Sequence, residues 1–252
     1  MVNRFFSQYL LNNGILTAEN VGRILAKSLD AVPGKDILQM DESMYEEEAR
    51  LGQVLLDEKL IDAAGLERSL QDIRTHDYRP VDRVVVEMLE DRKKDPAEYA
   101  HLRHYVELFL RSIQSFLHTD AAIVRNREND RQDTGYLIYQ TMGGSLRLTV
   151  GCCMTAEVLL AMASRFSDEP QDKVDEMAID CIEEFCNVVN GHYIVSMSGR
   201  NHDMDLDMPK TVENKVPSGD NVFRMRVETE FGGFAVYISM DGFVLDHKEY
   251  PG

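Results

Sequence analysis

The most informative segment of the sequence is Asp180-Cys181-Ile182-Glu183-Glu184-Phe185-Cys186-Asn187-Val188-Val189-Asn190-Gly191. Its spacing predicts an α-helix, on which successive residues are turned by about 100°. Asp180, Glu184, Asn187 and Gly191 then fall within about 60° of one another and form a narrow polar stripe. The apolar residues lie between about 100° and 200° on the same wheel. We therefore expect a helix with one face in the core and the stripe outside.

The composition of this polar stripe has two interpretations. The segment contains no Lys or Arg, although a solvated helix surface favours pairs of opposite charge four residues apart. Asn187 is a poor helix former in the middle of a helix, and Gly191 follows one turn later. A plain acidic face in contact with water and a functional face are both open on this pattern alone.

Composition bounds the class of protein. The chain has 252 residues, 44% hydrophobic and 28% charged, which suits one large or two modest globular domains. The net charge of −17 argues against nucleic acid or an anionic membrane as the main partner, because phosphate groups are bound by Lys and Arg. No apolar run reaches the length of about 20 residues that spans a bilayer. The N-terminal segment has no signal-peptide cleavage pattern, so we expect a cytoplasmic protein.

The spacing of cysteine and histidine predicts no metal site. The chain contains four cysteines, Cys152, Cys153, Cys181 and Cys186. None are spaced as CxxC, and adjacent cysteines do not bridge each other sensibly, so we expect most of them to be small buried thiols rather than parts of a disulfide framework. His101 and His104 are three residues apart, but no third ligand has a matching spacing. We expect these two to be ordinary surface histidines.

The N-terminal part of the chain contains an internal repeat. Residues 5–28 and 50–73 are two copies of one pattern, offset by 45 positions. Each copy predicts a short helix, a turn and a second helix, with Thr17 and Asp62 as N-caps of the second helices. Two such hairpins can bury their apolar stripes against each other, whereas a single hairpin cannot.

The second copy of the repeat resembles a known domain. It reads Arg50-Leu51-Gly52-Gln53-Val54-Leu55-Leu56, then Leu60-Ile61 and Leu66-Glu67-Arg68-Ser69-Leu70. Over about the first 75 residues the chain is similar to the N-terminal domain of type II secretion and pilus-assembly ATPases. Some members of that family bind cyclic di-GMP through two tandem motifs of this kind, which makes Arg50, Leu51 and Gly52 candidate nucleotide-binding residues.

The first copy departs from the nucleotide-binding pattern. Phe5-Phe6-Ser7 stands where Arg-Leu-Gly is expected, and in the second copy Lys59 replaces a usual Gly. Losing one Arg removes a guanidinium that would hold a phosphate or stack on a base. A purely structural or docking module is therefore the alternative for this region.

From residue 97 onward the pattern changes to mixed helices and strands. A linker helix over 79–96 ends at Asp95-Pro96, because a residue before proline is disfavoured in a helix. Gly143-Gly144 is predicted as the turn of a β-hairpin. The predicted elements are a helix over 97–117, the hairpin over 134–149, helices over 155–166 and 172–195, and strands over 203–212, 222–230 and 234–240.

With these elements in this order, residues 97–252 resemble the CheC/CheX/FliY family of bacterial chemotaxis phosphatases, and CheX-like members in particular. Asp180-x3-Glu184-x2-Asn187 matches the family's Asp/Ser-x3-Glu-x2-Asn signature. Gly191 and Pro209 fall close to positions where the family also has Gly and Pro. The signature occurs once here, as it does in CheX-like proteins, which are homodimers with one functional helix per subunit.

These observations predict an α+β protein in three parts. Residues 1–78 are expected to form a small all-α domain of two helical hairpins, followed by the linker helix over 79–96. Residues 97–252 are expected to form a CheX-like, pseudo-symmetric α/β domain. Its long helices would lie on an antiparallel-rich sheet, and the resemblance implies that two copies pair through that sheet.

The resemblance implies a phosphatase that hydrolyses the aspartyl phosphate of a phosphorylated CheY-like response regulator in chemotaxis or other two-component signalling. It assigns Asn187 to hold the attacking water and Glu184 to pair with the receiver's active-site Lys. Asp180 would orient the first turn or contact the partner, and Pro209 would be structural. The receiver brings its own Mg²⁺, so we expect no cofactor or metal belonging to this chain.

A non-catalytic module is the alternative interpretation. Such a module would bind a receiver, or a secretion or pilus component, without hydrolysing anything. In a third interpretation the N-terminal domain determines the function of the chain and acts as an adaptor that senses cyclic di-GMP. The intact pair of Glu184 and Asn187 favours the catalytic interpretation, because a decayed domain would tolerate their loss.

Overall fold

The computed structural model of the chain describes residues 5–40, 44–75, 80–89, 96–124, 135–219 and 221–247. Its contacts divide the chain into two compact units. Unit 1 comprises Met1–Arg125 and Glu228–Gly232, and unit 2 comprises Asn126–Val227 and Gly233–Gly252. The fold is α+β, as the sequence predicts, with helices and antiparallel strands. This division and the predicted domain boundaries differ over residues 97–125 and 228–232, which fall in unit 1.

Unit 1 is mainly helical. Its elements are α1 (Phe6–Asn12), α2 (Val21–Ser28), α3 (Lys35–Met40), α4 (Glu46–Asp57), α5 (Ala63–Thr75), α6 (Pro80–Leu89), α7 (Pro96–Leu117) and β1 (Ala121–Val124). The predicted linker helix corresponds to α6, and residues 79 and 90–95 of that prediction lie outside the described residues. The predicted helix over 97–117 corresponds to α7.

The two copies of the repeat share one turn geometry in the backbone of unit 1. In both copies the chain leaves the first helix through the same pair of backbone hydrogen bonds. These are Gly14 N–H to Leu11 O (3.1 Å) and Ile15 N–H to Leu10 O (3.0 Å), and Lys59 N–H to Leu56 O (3.0 Å) and Leu60 N–H to Leu55 O (2.9 Å). Gly14 and Lys59 hold equivalent positions with φ values of 72° and 56°. The second copy thus places a lysine in the left-handed region that favours glycine.

The two predicted N-caps of the repeat have different outcomes. Asp62 precedes α5, and its Oδ1 accepts a hydrogen bond from Gly65 N–H at 2.7 Å, so this prediction is confirmed. Thr17 is wrong as a cap, because the chain makes an additional turn and α2 begins only at Val21. Within that turn the Asn20 side chain accepts from Thr17 N–H at 2.8 Å.

A buried carboxylate joins the first helix of unit 1 to the residues before β1. The residue before α1, Phe5, gives the helix no side-chain cap. Asp120 accepts instead from Ser7 N–H (2.7 Å), from Ala121 N–H (2.9 Å) and from Gln114 Nε2 (3.0 Å). The helix start is therefore satisfied by a residue distant in sequence. Around it the apolar residues of both repeat copies and of β1 form one core.

Unit 2 contains the predicted hairpin and the two predicted helices that follow it. Its elements are β2 (Tyr136–Gly144), β3 (Leu148–Met154), α8 (Ala156–Ser167), α9 (Glu176–Ser198), β4 (Met204–Leu206), β5 (Lys210–Glu213), β6 (Lys215–Ser218), most of β7 (Phe223–Thr229) and β8 (Gly232–Ser239), and β9 (Val244–His247). The end of β7 and the first residue of β8 belong to unit 1. The central strands lie in the order β7-β8-β3-β2-β4, with β5 also on β2, and β6 pairs with β9. The sequence did not predict β6 or β9.

The turn of the hairpin is not where the sequence predicts it. Gly143 and Gly144 belong to β2 and pair with Asp205 and Met204, and the turn follows at residues 145–147. Gly144 has φ 133°, and a Cβ added there would stand 2.3 Å from Asp203 O. The glycine is therefore needed for a close approach of β4 and not for the hairpin turn.

The side chains of β2 alternate between two faces. Leu137 joins an apolar cluster on one face together with Cys153, Ala235 and Tyr237. The other face carries Ile138, Gln140 and Met142, all of which are buried. Because α9 packs on this second face, it is the face that positions the candidate site.

The shared turn of the repeat gives a test of the fold. Lys59→Gly is expected to raise the free energy of unfolding by about 1 kcal/mol, because glycine accepts a positive φ without steric cost. Gly14→Ala is the matched change and should lower the free energy of unfolding by a similar amount, because alanine is strained at this positive φ. The added Cβ meets no atom within 4 Å, so no clash with a neighbour adds to the effect. Urea denaturation of both variants measures the effect. Shifts of the same sign would contradict a common strained turn.

Candidate functional site

The helix α9 begins at a defined cap. Asp175 precedes it in an extended conformation, and its Oδ1 accepts a hydrogen bond from Ala178 N–H at 3.2 Å. Lys173 Nζ lies 3.3 Å from the same carboxylate. The hydrogen bond from Ala178, assisted by Lys173, holds the pKa of Asp175 below its usual value. An ionised cap at the start of the helix also suits the positive end of the helix dipole.

The predicted division of α9 into a core face and a polar stripe is confirmed. The core face is buried and consists of Ala178, Ile182, Phe185, Cys186, Val189, Asn190, Tyr193 and Met197. Phe185 meets Phe166 of α8 edge to face, with ring centroids 5.8 Å apart. Asp180 and Glu184 are exposed, and Asn187 is half-buried. The stripe therefore starts in solvent and ends where the helix meets β2.

Asn187 is held by a buried side chain of β2. Gln140 Nε2 donates a hydrogen bond to Asn187 Oδ1 at 3.0 Å, and only 1% of Gln140 is exposed. Asn187 Nδ2 lies 3.4 Å from Glu184 Oε2 in a long hydrogen bond. A carbonyl oxygen has two lone pairs and an amide nitrogen two protons, so each end of Asn187 keeps one position for a water molecule.

Two further bonds fix Gln140 itself. Asn190 Nδ2 donates to Gln140 Oε1 at 2.7 Å, and Gln140 Nε2 donates a second bond to Asp207 O at 2.8 Å. Asn190 is as buried as Gln140, at 1% exposure. This network of Gln140, Asn187, Asn190 and the Asp207 carbonyl, called here the amide network, joins β2, α9 and the chain after β4. All its members lie in unit 2.

Pro209 lies in a bulge directly opposite Gln140. Asp207 N–H donates to Thr141 O at 2.9 Å, whereas Tyr139 pairs with Lys210. Met208 and Pro209 therefore share the position opposite one residue, which is a β-bulge. Proline suits a bulge because it has no N–H to leave unpaired. The bulge turns the Asp207 carbonyl toward the Gln140 side chain, which gives Pro209 a structural role.

The two adjacent glutamates of α9 have different surroundings. Glu183 Oε1 accepts a hydrogen bond from Thr211 Oγ1 of β5 at 2.6 Å. Glu184 is turned by about 100° from it and is exposed, with the Asn187 amide beside it. Glu184 is therefore the glutamate of this pair that faces solvent.

Beside the stripe lies an open cleft of about 490 Å³. Asp180 and Glu184 line it together with Met177 and Phe166. Met177 is 61% exposed at the start of α9, and Val195 is 73% exposed near its end. The two acidic residues of the stripe therefore lie in its first half, and one exposed apolar side chain lies toward each end of the helix.

Gly191 has no visible role within the chain. It is part of α9, where glycine costs about 1 kcal/mol relative to alanine. A Cβ added there meets no atom within 4 Å, so internal packing does not require glycine. The open space lies on the same stripe as Glu184 and Asn187 and is suited to the close approach of another molecule.

Two cysteines lie beneath the site. Cys152 of β3 and Cys186 of α9 are buried and free, and they form a hydrogen bond with each other. That bond and burial raise the pKa of Cys152 well above its usual value. The Cys152 thiol is therefore protonated. Both side chains are packed in the core, which confirms the expectation of buried thiols for these two residues.

The three candidate nucleotide-binding residues lie in unit 1 and are largely enclosed there. The Arg50 guanidinium is 3.4 Å from Glu230 Oε2, and its side chain is 18% exposed. Leu51 is buried, and Gly52 faces the Leu66 side chain. An arginine already paired with a buried carboxylate is poorly placed to bind phosphate, so the structure does not favour the nucleotide-binding hypothesis.

The described residues contain neither a candidate metal cluster nor a helix that could span a membrane. Within them, no three His, Cys, Asp or Glu side chains come together as a metal site would require. His101 and His104 are half-buried on α7. No helix among the described residues has both the length and the apolar character for crossing a bilayer.

Sequence reasoning identified the stripe but missed Gln140 and Asn190. Both are buried polar side chains, and Gln140 stands between Ile138 and Met142 on the inward face of its strand. A polar residue in an otherwise apolar series on one strand face was the available signal. Nothing local in the sequence, however, specifies that its partner is Asn187.

The comparison with protein families matches unit 2. Residues 136–221 match the sequence model of a family described as chemotaxis phosphatase CheX. The match spans less than half of the chain and includes β2, α8, α9 and the bulge, so a CheX-like domain occupies this segment. It does not reach residues 1–75 and gives no support to the resemblance with secretion ATPases. No curated protein sequence matches the chain.

Several crystal structures are similar to the chain. Chemotaxis protein CheX from Vibrio vulnificus has 14% identity and a TM-score of 0.47, with 56% of this chain and 98% of that chain covered. A CheC-like superfamily protein from Shewanella sp. PV-4 has 15% identity and a TM-score of 0.48, with 56% and 97% covered. The CheX-CheY-BeF3-Mg²⁺ complex from Borrelia burgdorferi has 16% identity and a TM-score of 0.43, with 55% and 96% covered.

The cap of α9 predicts a pH-dependent contribution to stability. Asp175→Ala should lower the thermal unfolding midpoint at neutral pH, because the helix loses its cap. The folded-state pKa of Asp175 is lowered, so its ionised form stabilises the fold above the unfolded-state pKa of about 3.9. This contribution is lost as the pH falls through the folded-state pKa. The midpoints of variant and wild type should therefore converge below about pH 4.

Melting curves followed by circular dichroism at several pH values measure this effect. Asp172→Ala is the control, because Asp172 is exposed and lies outside the helix. A difference between Asp175→Ala and wild type that stays constant down to low pH would rule out the ionised cap.

Proposed function

We propose that the CheX-like domain accelerates hydrolysis of the aspartyl phosphate of a CheY-like response regulator in chemotaxis or two-component signalling. The observation that carries the proposal is the Asn187 amide, which a buried glutamine holds beside the exposed Glu184 on a rigid helix. The match of residues 136–221 to the CheX family supports this class of substrate. The proposed enzyme is thus a protein aspartyl-phosphate phosphatase.

The reaction needs positioning more than it needs a strong base. The oxygen of a water molecule bonds to phosphorus while the bond from phosphorus to the aspartyl oxygen breaks. The carboxylate is released on the receiver, and both water protons end on inorganic phosphate. Phosphoryl transfer depends mostly on in-line placement and on charge stabilisation. The receiver supplies Mg²⁺ for that charge, and we propose no cofactor of this chain's own.

Asn187 is the proposed catalytic residue. Its amide can accept from and donate to the attacking water at once, which fixes the direction of the water lone pair. The hydrogen bond from Gln140 limits rotation of the amide before a partner arrives. A preorganised group does not have to be ordered during the reaction.

Glu184 is the proposed docking residue. Its carboxylate is exposed on a stripe without Lys or Arg, so it can pair with the active-site lysine of a receiver. Asp180 extends the same acidic surface along the cleft. Gly191 leaves room for close contact one turn beyond Asn187. The two acidic side chains and the open space together suit a partner that presents a cation next to its phosphoryl group.

We also propose that the chain acts in the cytoplasm as a homodimer. The resemblance to CheX-like proteins supports the dimer, and action on a response regulator supports the location. Light scattering tests the dimer, since a mass of twice the 28.8 kDa of one chain is expected. A single-chain mass at micromolar concentration would contradict it.

Asn187→Ala is expected to lower kcat for phosphate release from a cognate phosphorylated receiver by about 100-fold or more. The physical reason is the loss of the group that orients the water. Affinity for the receiver should change little, because the amide contributes mainly in the transition state. Phosphate release measured against a panel of phosphorylated receivers from the same organism checks this. Wild-type rates in the variant would remove the catalytic assignment.

Glu184→Gln is expected to weaken receiver binding about tenfold by removing one charged partner of an ion pair. Glu183→Gln is the matched control, because it removes the same charge one residue away on a face tied to β5. Gly191→Ala should also weaken binding while stabilising α9. Titration calorimetry with an unphosphorylated receiver measures all three. Equal effects of the two glutamine variants would indicate a general charge effect and contradict specific docking.

A further inference from the structure

We infer that Gln140 is a positioning residue for Asn187, and that the amide network sets the orientation of the proposed catalytic amide. The inference rests on the proposed function for its kinetic consequence. Its structural part, that Gln140 orders the Asn187 side chain, stands on the hydrogen bonds alone.

The burial of Gln140 is costly unless each polar atom has a partner. An unpaired amide in an apolar environment costs several kcal/mol on transfer scales, and Gln140 lies between two apolar side chains of β2. The structure gives its nitrogen two acceptors and its oxygen one donor. A buried network that is fully satisfied is rigid, because each alternative arrangement leaves a group unpaired.

The network also has a direction. The Asn190 amide donates to the Gln140 oxygen at 2.7 Å, which requires the nitrogen of Gln140 to point the other way. That nitrogen then reaches Asn187 Oδ1 and Asp207 O, both of which are acceptors. Reversing the Gln140 amide would bring donor to donor at Asn190 and acceptor to acceptor at Asp207. The orientation of Asn187 therefore follows from partners that lie deeper in the fold.

Gln140 contacts α9 at two positions one turn apart. Asn187 and Asn190 are separated by three residues, so both face β2 on the same side of the helix. Together they fix the rotation of α9 above the strand as well as the amide itself. Gln140 thus acts through Asn187 and needs no contact with substrate.

The first experiment measures order at Asn187 and needs no activity. The side-chain Nδ2 resonances of Asn187, identified by their absence in Asn187→Ala, are followed by heteronuclear NOE in a nitrogen-labelled protein. Gln140→Met keeps the approximate volume but removes all three hydrogen bonds, so the Asn187 side chain should become mobile. Thr141→Val is the control, because Thr141 lies on the opposite face of β2 from Gln140 and its hydroxyl bonds Thr149 at 3.0 Å. Equal rigidity of Asn187 in wild type and Gln140→Met would overturn the inference.

The second experiment uses phosphate release from the phosphorylated receiver. Gln140→Met and Gln140→Glu should lower kcat about 10- to 100-fold, with KM changed less than about twofold, because orientation is lost and docking is retained. Thr141→Val should keep wild-type kcat. A rise in KM at constant kcat would show that Gln140 supports the docking surface and would contradict positioning.

The pH profile of Gln140→Glu separates positioning from general structural damage. An ionised carboxylate has no donor for Asn187, whereas a protonated carboxyl has one. The ratio of variant kcat to wild-type kcat should therefore rise as the pH is lowered. A flat ratio, with all variants folded by circular dichroism, would contradict the inference. If wild type releases no phosphate from any receiver, the proposed function fails, and the NMR experiment still decides whether Gln140 orders Asn187.

Discussion

A buried amide must satisfy its own hydrogen bonds, and the arrangement of unit 2 around β2 follows that requirement at Gln140. The side chain enters an apolar layer between Ile138 and Met142, where water is excluded. Its partners come from α9 and from the Asp207 carbonyl. Three features thus satisfy the hydrogen bonds of one buried side chain. They are the register of the helix over the sheet, the bulge at Pro209 and the orientation of Asn187.

The same requirement explains how much could be predicted from the sequence. Local periodicity was enough for α9, because the apolar residues from Ala178 to Met197 recur at helical spacing. The repeat was also visible, since Gly14 and Lys59 stand at equivalent places in two aligned segments. Gln140 was not, because its partners at 187 and 207 are distant in sequence. The exposed residues that we propose for partner contact were therefore accessible to sequence reasoning, and the buried residues that hold them in place were not.

Other errors have local physical causes. Gly143-Gly144 has the composition of a hairpin turn, yet the close approach of β4 uses the missing Cβ within a strand. Arg50 has the chemistry of a phosphate ligand, yet Glu230, distant in sequence, neutralises it. In both cases the residue type suits two structural roles. A contact with a residue distant in sequence decides which role it has, and a short sequence pattern does not contain that residue.

The bulge at Met208-Pro209 has a consequence for the rim of the sheet. Among the described strands, β4 and β5 pair only with β2, so they form one of its edges. An incoming strand would meet two short ladders of different register, separated by a proline that offers no N–H. The bulge that turns the Asp207 carbonyl inward therefore also makes this edge unfavourable for pairing with another strand. The same few residues that support the proposed catalytic amide are therefore expected to disfavour edge-to-edge aggregation.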